Sequence, residues 1–490
     1  MSTTSDAGAA QQSDRGWFRR LRKPILSGWA GTTLEFFDFQ IYALAAALVF
    51  NRIFFPELDP ALGMLSSFGT YAVGFFARPI GAIFFGWLGD KKGRKLVLVV
   101  TIGMMGVSTM LIGLLPDYHQ VGILAPILLL LLRVVQGLGA GAELAGATVF
   151  LAEFAPKRKR GIVSAFVALG TNSGTLLASF TWLLLAMMPE DMLLSWGWRI
   201  PFVASILVTL FTLYIRRHLD ETPVFKSIEE QEAVKQIEAE TAARAEQIEE
   251  ARKPLGEILR KGWKTFLLAM MLRIGESGTT YLYQTFLVGY IATTLLMDRS
   301  IASAGVMVAS LLGFITVPLF GLLADKYGRR IIYRYVSLFQ ALFAFPALAF
   351  LQTTSVASVM LALIGGMSIG MLGMYAVQSS YLPEMFGSRY RYTGLAAAKE
   401  IGALVSGGIA PVVATGLLAW FSNSWIPIAV YISVLALIAF VATFIAPETV
   451  GRDLTRESDA VDDPDYAGRS SAEVLAELDQ PIPTPEGGHR

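Results

Sequence analysis

The 490-residue chain has no cysteine and only three histidines. The first absence excludes disulfides, thiolate metal sites and a cysteine nucleophile, and leaves the redox compartment open. His119, His218 and His489 all fall outside the apolar runs described below, so a proton relay inside those runs has to use carboxylates. Charge is scarce too: Asp, Glu, Lys and Arg make up 16% of the chain, against about 25% in a soluble domain. The two signs nearly cancel, to a net +1, so no general affinity for nucleic acid is implied. Neither H-E-x-x-H nor G-x-x-x-x-G-K-[ST] occurs, which leaves a zinc hydrolase or an ATP-driven pump without support. Nothing in the sequence calls for a metal or a cofactor.

Apolar sequence is what the chain has in abundance. Hydrophobic residues make up 54% and mean hydropathy is +0.54. That rules out a disordered chain and argues against a water-soluble enzyme. About 20 apolar residues in a helix cross the hydrocarbon core of a bilayer. Twelve such runs are predicted, over 25–50, 64–89, 96–115, 122–152, 162–188, 199–217, 264–296, 301–324, 331–351, 356–382, 393–421 and 425–446. They are called spans 1 to 12. Strand-length alternation is absent, which excludes a β-barrel. Glycine-rich stretches at Gly137–Gly146 and Gly365–Gly373 suit close helix contact.

The loops predict an orientation. Basic residues crowd the N-terminal segment 1–24 (Arg15, Arg19, Arg20, Arg22, Lys23), loop 2–3 (Lys91, Lys92, Arg94, Lys95), loop 4–5 (Lys157 to Arg160), loop 8–9 (Lys326, Arg329, Arg330) and loop 10–11 (Arg389, Arg391). The alternate loops are poor in them. By the positive-inside rule both termini are cytoplasmic. The first run is too long for a signal peptide and lacks a cleavage pattern, so it reads as an uncleaved helix. The polar segment 218–263 reads as a cytoplasmic linker. The segment 447–490, with eleven acidic and four basic residues, reads as a disordered tail.

A repeat organises the spans. Gly86-Trp-Leu-Gly-Asp90-Lys-Lys-Gly93-Arg94-Lys95 returns 235 residues later as Gly321-Leu-Leu-Ala-Asp325-Lys-Tyr-Gly328-Arg329-Arg330. Glu153, Arg158 and Arg160 match Glu384, Arg389 and Arg391 at an offset of 231. The expected fold is an all-α integral membrane protein with twelve transmembrane helices in two six-helix, pseudo-symmetric halves, 25–217 and 264–446. Internal repeats of this kind typify secondary transporters, with the cargo site near the midplane between them.

The G-x-x-x-D-x-x-G-R-[KR] loop after spans 2 and 8 resembles the hallmark of the major facilitator superfamily. Within it the chain resembles the metabolite:proton symporters, on Gly31-Thr-Thr-Leu-Glu35-Phe-Phe-Asp38-Phe, Phe76-Ala-Arg78-Pro79-Ile-Gly81, Arg133-Val-Val-Gln136-Gly137 through Glu143, Trp196-Gly-Trp198-Arg199-Ile-Pro201-Phe and Glu221-Thr-Pro-Val-Phe225. The resemblance implies uptake of a small carboxylate or zwitterion together with protons, across the plasma (inner) membrane. The expected partners are a small organic anion, protons and the lipid bilayer, with no nucleic acid, and the expected functional unit is a monomer.

Ionisable residues at membrane depth are costly and mark function by default. Glu35 and Asp38 share one face of span 1, and Glu35 lies about 15 Å along the helix from Ile25. Together with Glu143 and Glu276 they are the proton-coupling candidates; the bland alternative is a static ion pair with a nearby arginine. Arg133 and Arg273 offer planar forks for a carboxylate. Arg133 could equally pair permanently with Glu35 or Asp38. Gln136, Gln40, Tyr42, Asn172, Tyr281, Tyr283, Gln284, Tyr375 and Gln378 could complete a cargo site, or simply pack. Arg78, before Pro79, reads as structural; Lys399 and Glu400 either line the cavity or approach the interface. Asp90 and Asp325 are read as a latch on the N-termini of facing spans, with Arg94 and Arg329 pairing with acids such as Glu153 and Glu384; the alternative is that these charges only enforce topology.

Overall fold

The computed structural model describes residues 4–92, 94–141, 148–149, 151–153, 155–217, 262–388 and 391–478. Glu143 and nearly all of the 218–263 linker lie outside the described residues, as do the side chains of Asp90 and Arg94. Helices account for all twelve expected spans. Those of the first half are Thr4–Leu48, Pro60–Lys92, Arg94–Gly113, Leu124–Ala140, Arg160–Ala186 and Arg199–Arg217. In the second half span 7 runs from Trp263–Tyr281 through a π turn to Leu287–Thr293, followed by Arg299–Tyr327, Arg329–Leu351, Val356–Leu363 continuing to Leu372–Met385, Arg391–Gly402 continuing to Ala410–Trp420, and Ile426–Ile445. The first helix starts at Thr4, so the basic N-terminal segment continues span 1 rather than preceding it.

Seven described helices are long and apolar enough to cross a bilayer, and an eighth counts if a pair bent by 42° is taken together. Spans 1 and 7 are not among them. Their apolar runs are broken by Glu35 and Asp38 in one and by Arg273 and Glu276 in the other. The charges that break these two runs are buried, and spans 2 and 11, which pass the apolar test, carry buried charges as well.

Glycine sets where helices touch. In span 5, a Cβ on Gly170 would sit 2.7 Å from the Trp29 carbonyl oxygen, and one on Gly174 would sit 2.5 Å from that of Thr33. Span 1 therefore lies directly on span 5. In span 4, a Cβ on Gly137 would come within 2.9 Å of Ala77 on span 2. The halves meet along two symmetry-equivalent lines, span 5 with span 8 and span 2 with span 11. π turns interrupt span 7 at Leu282–Phe286, span 10 at Ile364–Met371 and span 11 at Ala403–Gly408. Such bulges often accompany functional sites, and here they fall where the halves converge.

The tail departs from the sequence reading. Residues 447–478 are folded onto the basic face rather than disordered. Glu448, Arg452, Asp459 and Asp463 are buried, and a helix runs over Ser471–Leu478. The acids that looked like a solvated run have partners. Glu448 accepts from the backbone N–H groups of Arg329 and Arg330 at 2.9 and 3.1 Å, which caps the N-terminus of span 9. Lys157 meets Asp453 at 2.8 Å, and Lys264 meets Asp462 at 3.3 Å. The hydrogen bond from Lys157, with two from Thr455, holds the exposed Asp453 carboxyl well below the usual carboxylate range.

Candidate functional site: a charged pocket between two halves

Away from the helix ends at the basic face, eight charged side chains are buried in the described spans: Glu35, Asp38, Arg78, Arg133, Arg273, Glu276, Lys399 and Glu400. Four are acidic and four basic, so the set is electrically balanced. They fall into three groups.

The first group borders the pocket. A cavity of about 10 Å³ lies between the halves, lined by Phe36 and Thr171 from the first half and by Arg273, Glu276, Ser277, Thr280, Tyr281, Met371 and Tyr375 from the second. Arg273 Nη1 donates to Glu276 and, at 3.2 Å, to Gln378 Oε1. Thr280 steadies the other Glu276 oxygen at 2.9 Å. Gln378 in turn donates to the Tyr333 hydroxyl at 3.2 Å. Arg273 Nε has no hydrogen-bond partner. The Arg273 guanidinium also lies 5.7 Å from the Tyr375 ring centre. The pocket thus presents a cation, an anion and aromatic walls together.

The second group lies inside the first half. Arg133 is fully buried and no carboxylate among the described residues comes within ion-pair distance of it, so the permanent pair with Glu35 or Asp38 is not formed. Instead, Arg133 donates to Gln136 at 2.5 Å, and Gln136 donates to Thr109 at 2.7 Å. The Thr109 hydroxyl lies 3.2 Å from Asp38 Oδ2. The ring centres of Tyr42, Phe39 and Tyr71 lie 4.1, 4.7 and 5.0 Å from the guanidinium carbon. Arg133 Nε and Nη2 and Asp38 Oδ1 lack partners. A separate cavity of about 30 Å³ touches Glu35 and Asp38 between spans 1, 3 and 6, enough for a water molecule.

The third group bridges the halves. Arg78 on span 2 grips Glu400 on span 11 through Nε at 2.7 Å and Nη2 at 3.2 Å, and meets Glu35 at 3.5 Å. Lys399 donates to Thr148 of span 4 at 3.2 Å.

Several cargo candidates sit elsewhere. Tyr42 donates to Thr70 at 2.7 Å and covers Arg133. Asn172 ties span 5 to the Ser310 carbonyl of span 8 at 2.8 Å. Gln284 reaches the sulfur of Met371 at 3.4 Å. None of the three lines the pocket. Tyr281 and Tyr375 do line the pocket, and sequence reading missed Phe36, Thr171, Ser277, Thr280 and Met371. Thr280 was accessible, since it lies one turn beyond Glu276 on the same face. Thr171 and Tyr375 meet across the halves at 3.3 Å, which no spacing in the chain foretells.

The basic face is tied shut around the repeated loop. Asp325 accepts from the Gly161 and Ile162 backbone N–H groups at 2.8 and 2.9 Å and from Arg329 at 2.7 Å. A helix N-terminus favours a carboxylate in this position. Only glycine fits at 161, because a Cβ there would lie 2.7 Å from Asp325 Oδ1. Gly328 turns the chain at φ +99, a conformation glycine adopts without strain. Glu384 receives Arg160 at 2.9 Å, Arg329 at 3.3 Å and Thr449 at 2.7 Å. Glu153 pairs with Arg391 at 3.1 Å. On the opposite face, Glu190 meets Arg52 of its own half and Arg299 of the other. Contacts between the halves on both faces leave little space in the pocket.

Comparison with known proteins completes the picture. Residues 29–459 match the family described as sugar (and other) transporter. A putative transporter of Escherichia coli, YdfJ, is 44% identical over 429 residues, covering 87% of this chain and 96% of its own. The shikimate transporter of the same bacterium is 36% identical over 434 residues, covering 88% and 94%. Its proline/betaine transporter is 34% identical over 469 residues, covering 94% and 91%. The xylose transporter XylE, solved as a proton:xylose symporter of the major facilitator superfamily, superposes with a TM-score of 0.69 at 18% identity, over 89% of this chain and 98% of that one; at this identity the likeness speaks for the fold. The chain belongs to the sugar (and other) transporter family and has the fold of the major facilitator superfamily, and it is a membrane transporter, not an enzyme.

Proposed function

We propose that the protein imports a small organic carboxylate together with protons, by alternating access, across the inner membrane with both termini cytoplasmic, and that it works as a monomer. The observation that carries this reading is Arg273 on the pocket wall, held by Glu276 and Gln378 with Nε still free. A carboxylate entering the pocket would compete with Glu276 for the guanidinium fork. Glu276, displaced in low dielectric, then favours protonation, which couples cargo to proton. The shikimate-transporting relative fits a carboxylate cargo. In this reading Glu35 and Asp38 hold the proton on the first half, and the Asp325 network is the cytoplasmic latch of the closed state.

A second reading has one observation in its favour. Phe36, Tyr281 and Tyr375 surround the Arg273–Glu276 pair, and aromatic rings with a carboxylate suit a quaternary ammonium. A betaine-like zwitterion would use both charges, as the proline/betaine relatives suggest.

A single experiment decides between the readings. Purified protein in liposomes is given shikimate or glycine betaine with and without an inward proton gradient, while internal pH is followed. Concentrative uptake of shikimate with internal acidification supports the carboxylate symporter. Concentration of betaine alone favours the second reading. Uptake that only equilibrates and ignores the gradient overturns proton coupling.

A further inference from the structure

The Arg78–Glu400 bridge is set apart by its position. Arg78 belongs to the first half and Glu400 to the second, 322 residues away, and both are buried. Two contacts between spans 2 and 11 bear on the pocket. A Cβ on Gly408 would sit 2.7 Å from Phe75, and Phe75 stacks edge-on against the pocket residue Tyr281 at 5.1 Å. The second contact, Arg78 with Glu400, lies nearer the basic-loop ends of both helices. The bridge is therefore the floor of the pocket on that side. For the pocket to open there, spans 2 and 11 have to separate and the bridge has to break.

Breaking it strands charge. Glu400 has its carboxylate oxygens on Arg78, at 2.7 and 3.2 Å, and Arg78 has Glu35 as its second acid at 3.5 Å. Parted from each other, Arg78 keeps Glu35 as a partner, while no other cation among the described residues lies within ion-pair distance of Glu400. Among the described residues, the other titratable groups within electrostatic reach of this cluster are Arg273, Glu276 and Tyr281 of span 7, Tyr71 of span 2, Arg133 of span 4, Tyr375 of span 10 and Lys399 beside Glu400. Lys399 points to Thr148 instead of a carboxylate. A buried carboxylate that loses its cation is strongly disfavoured unless it gains a proton.

We propose that Arg78 and Glu400, with Glu35 as the third member, form an intramembrane gate on the cytoplasmic side of the pocket, and that Glu400 takes up a proton when the gate opens. One O–H bond forms on the Glu400 carboxyl as its ion pair with Arg78 is lost, the proton coming from cytoplasmic water as the gate parts. The proton returns to that water as the gate closes and Arg78 recaptures the carboxylate, so the gate by itself moves no net proton. Glu400 is a positioning residue here, since it acts on the opening and touches no cargo. This rests on the alternating-access reading given above.

The absence of cysteine makes a cargo-free test possible. Ala165 of span 5 is buried against Gly321 of span 8, so Ala165→Cys is shielded while the cytoplasmic side is shut. The full chain carrying it, in nanodiscs, is treated with a bulky maleimide at about pH 5.5 and about pH 8, each rate divided by that of the unfolded protein at the same pH. Labelling is expected to be about tenfold faster at the lower pH, as one unit of differential protonation would give. With Glu400→Gln added it should be fast at both pH values, and with Glu400→Asp the pH dependence should return. Equal labelling at both pH values in the parent, or an unchanged pH dependence in Glu400→Gln, overturns the gate. If Glu400→Gln does not fold, the parent and Glu400→Asp profiles still decide, since a flat profile in either overturns it. pH-gated labelling in a protein that shows no proton-driven uptake would overturn symport alone.

Discussion

Arg133 and Arg273 are both buried and both carry a glutamine partner, yet their anions stand in opposite relation to them. Arg273 holds Glu276 directly, three residues along its own helix. Arg133 is kept from Asp38 by Gln136 and Thr109, and rings take the place of a counter-ion. A direct pair on a pocket wall can be broken by an incoming anion, because the anion offers the guanidinium a new partner. A relayed pair away from the pocket can respond only to a proton or to movement of its helices. The difference suggests a division of labour: the second half meets the cargo's charge and the first half stores the proton.

The largest effect should come from removing the direct cation. Arg273→Ala leaves Glu276 buried without its partner, a loss of about 3–5 kcal/mol for a broken buried pair. Uptake should vanish and the melting temperature should fall. Adding Glu276→Gln should recover the melting temperature and not the uptake. Uptake by Arg273→Ala at the native rate would end the division proposed here.

Asp38→Asn should produce a smaller and different change. Asparagine keeps the shape and can still accept from Thr109, and no ion pair is broken. Accumulation against a gradient should be lost while the melting temperature stays close to native. A fall in stability as large as that of Arg273→Ala would mean that Asp38 and Arg133 are tied directly after all. Both outcomes are read by proteoliposome uptake and by thermal unfolding.

Much of this was legible from residue spacing. The length of the apolar runs gave the spans, and the repeated Asp-x-x-Gly-Arg loop gave the halves. Glu35 with Asp38, Arg273 with Glu276 and Arg133 with Gln136 are neighbours three apart on one helix face, which is why each reads as a pair before any fold is known. Contacts across the halves are another matter. Arg78 read as structural because Pro79 and the surrounding glycines explain it locally, and Glu400 is brought to it only by the packing of span 2 on span 11. The tail misled for a related reason. Its composition is that of a solvated acidic segment, but Lys157, Lys264 and the N-terminus of span 9 supply the opposite charge, and none of them is near in sequence.

Cutting the relay should give a moderate effect. Gln136→Leu keeps the bulk, removes the acceptor for Arg133 Nη1 and leaves Thr109 without its donor. Loss of a hydrogen bond to a charged group costs about 1.5–3 kcal/mol, so uptake should slow by about tenfold or more. If exchange of cargo slows as much as concentrative uptake, the relay shapes the pocket; if only concentrative uptake slows, it serves the proton.

The smallest effect should come from Tyr42, and it tests the arrangement from the other side. As a cargo ligand, Tyr42 would act through its hydroxyl. In the structure that hydroxyl is committed to Thr70, while the ring lies 4.1 Å from the Arg133 guanidinium. Tyr42→Phe keeps the ring and removes one neutral hydrogen bond, worth about 0.5–1.5 kcal/mol. Tyr42→Leu removes the ring and a desolvated cation–π contact of about 2 kcal/mol. The leucine variant should therefore lose more stability and more uptake than the phenylalanine variant, with KM for cargo little changed in the latter. A large rise in KM for Tyr42→Phe would place the hydroxyl on the cargo, extend the cargo site into the first half, and dissolve the contrast between the two arginines.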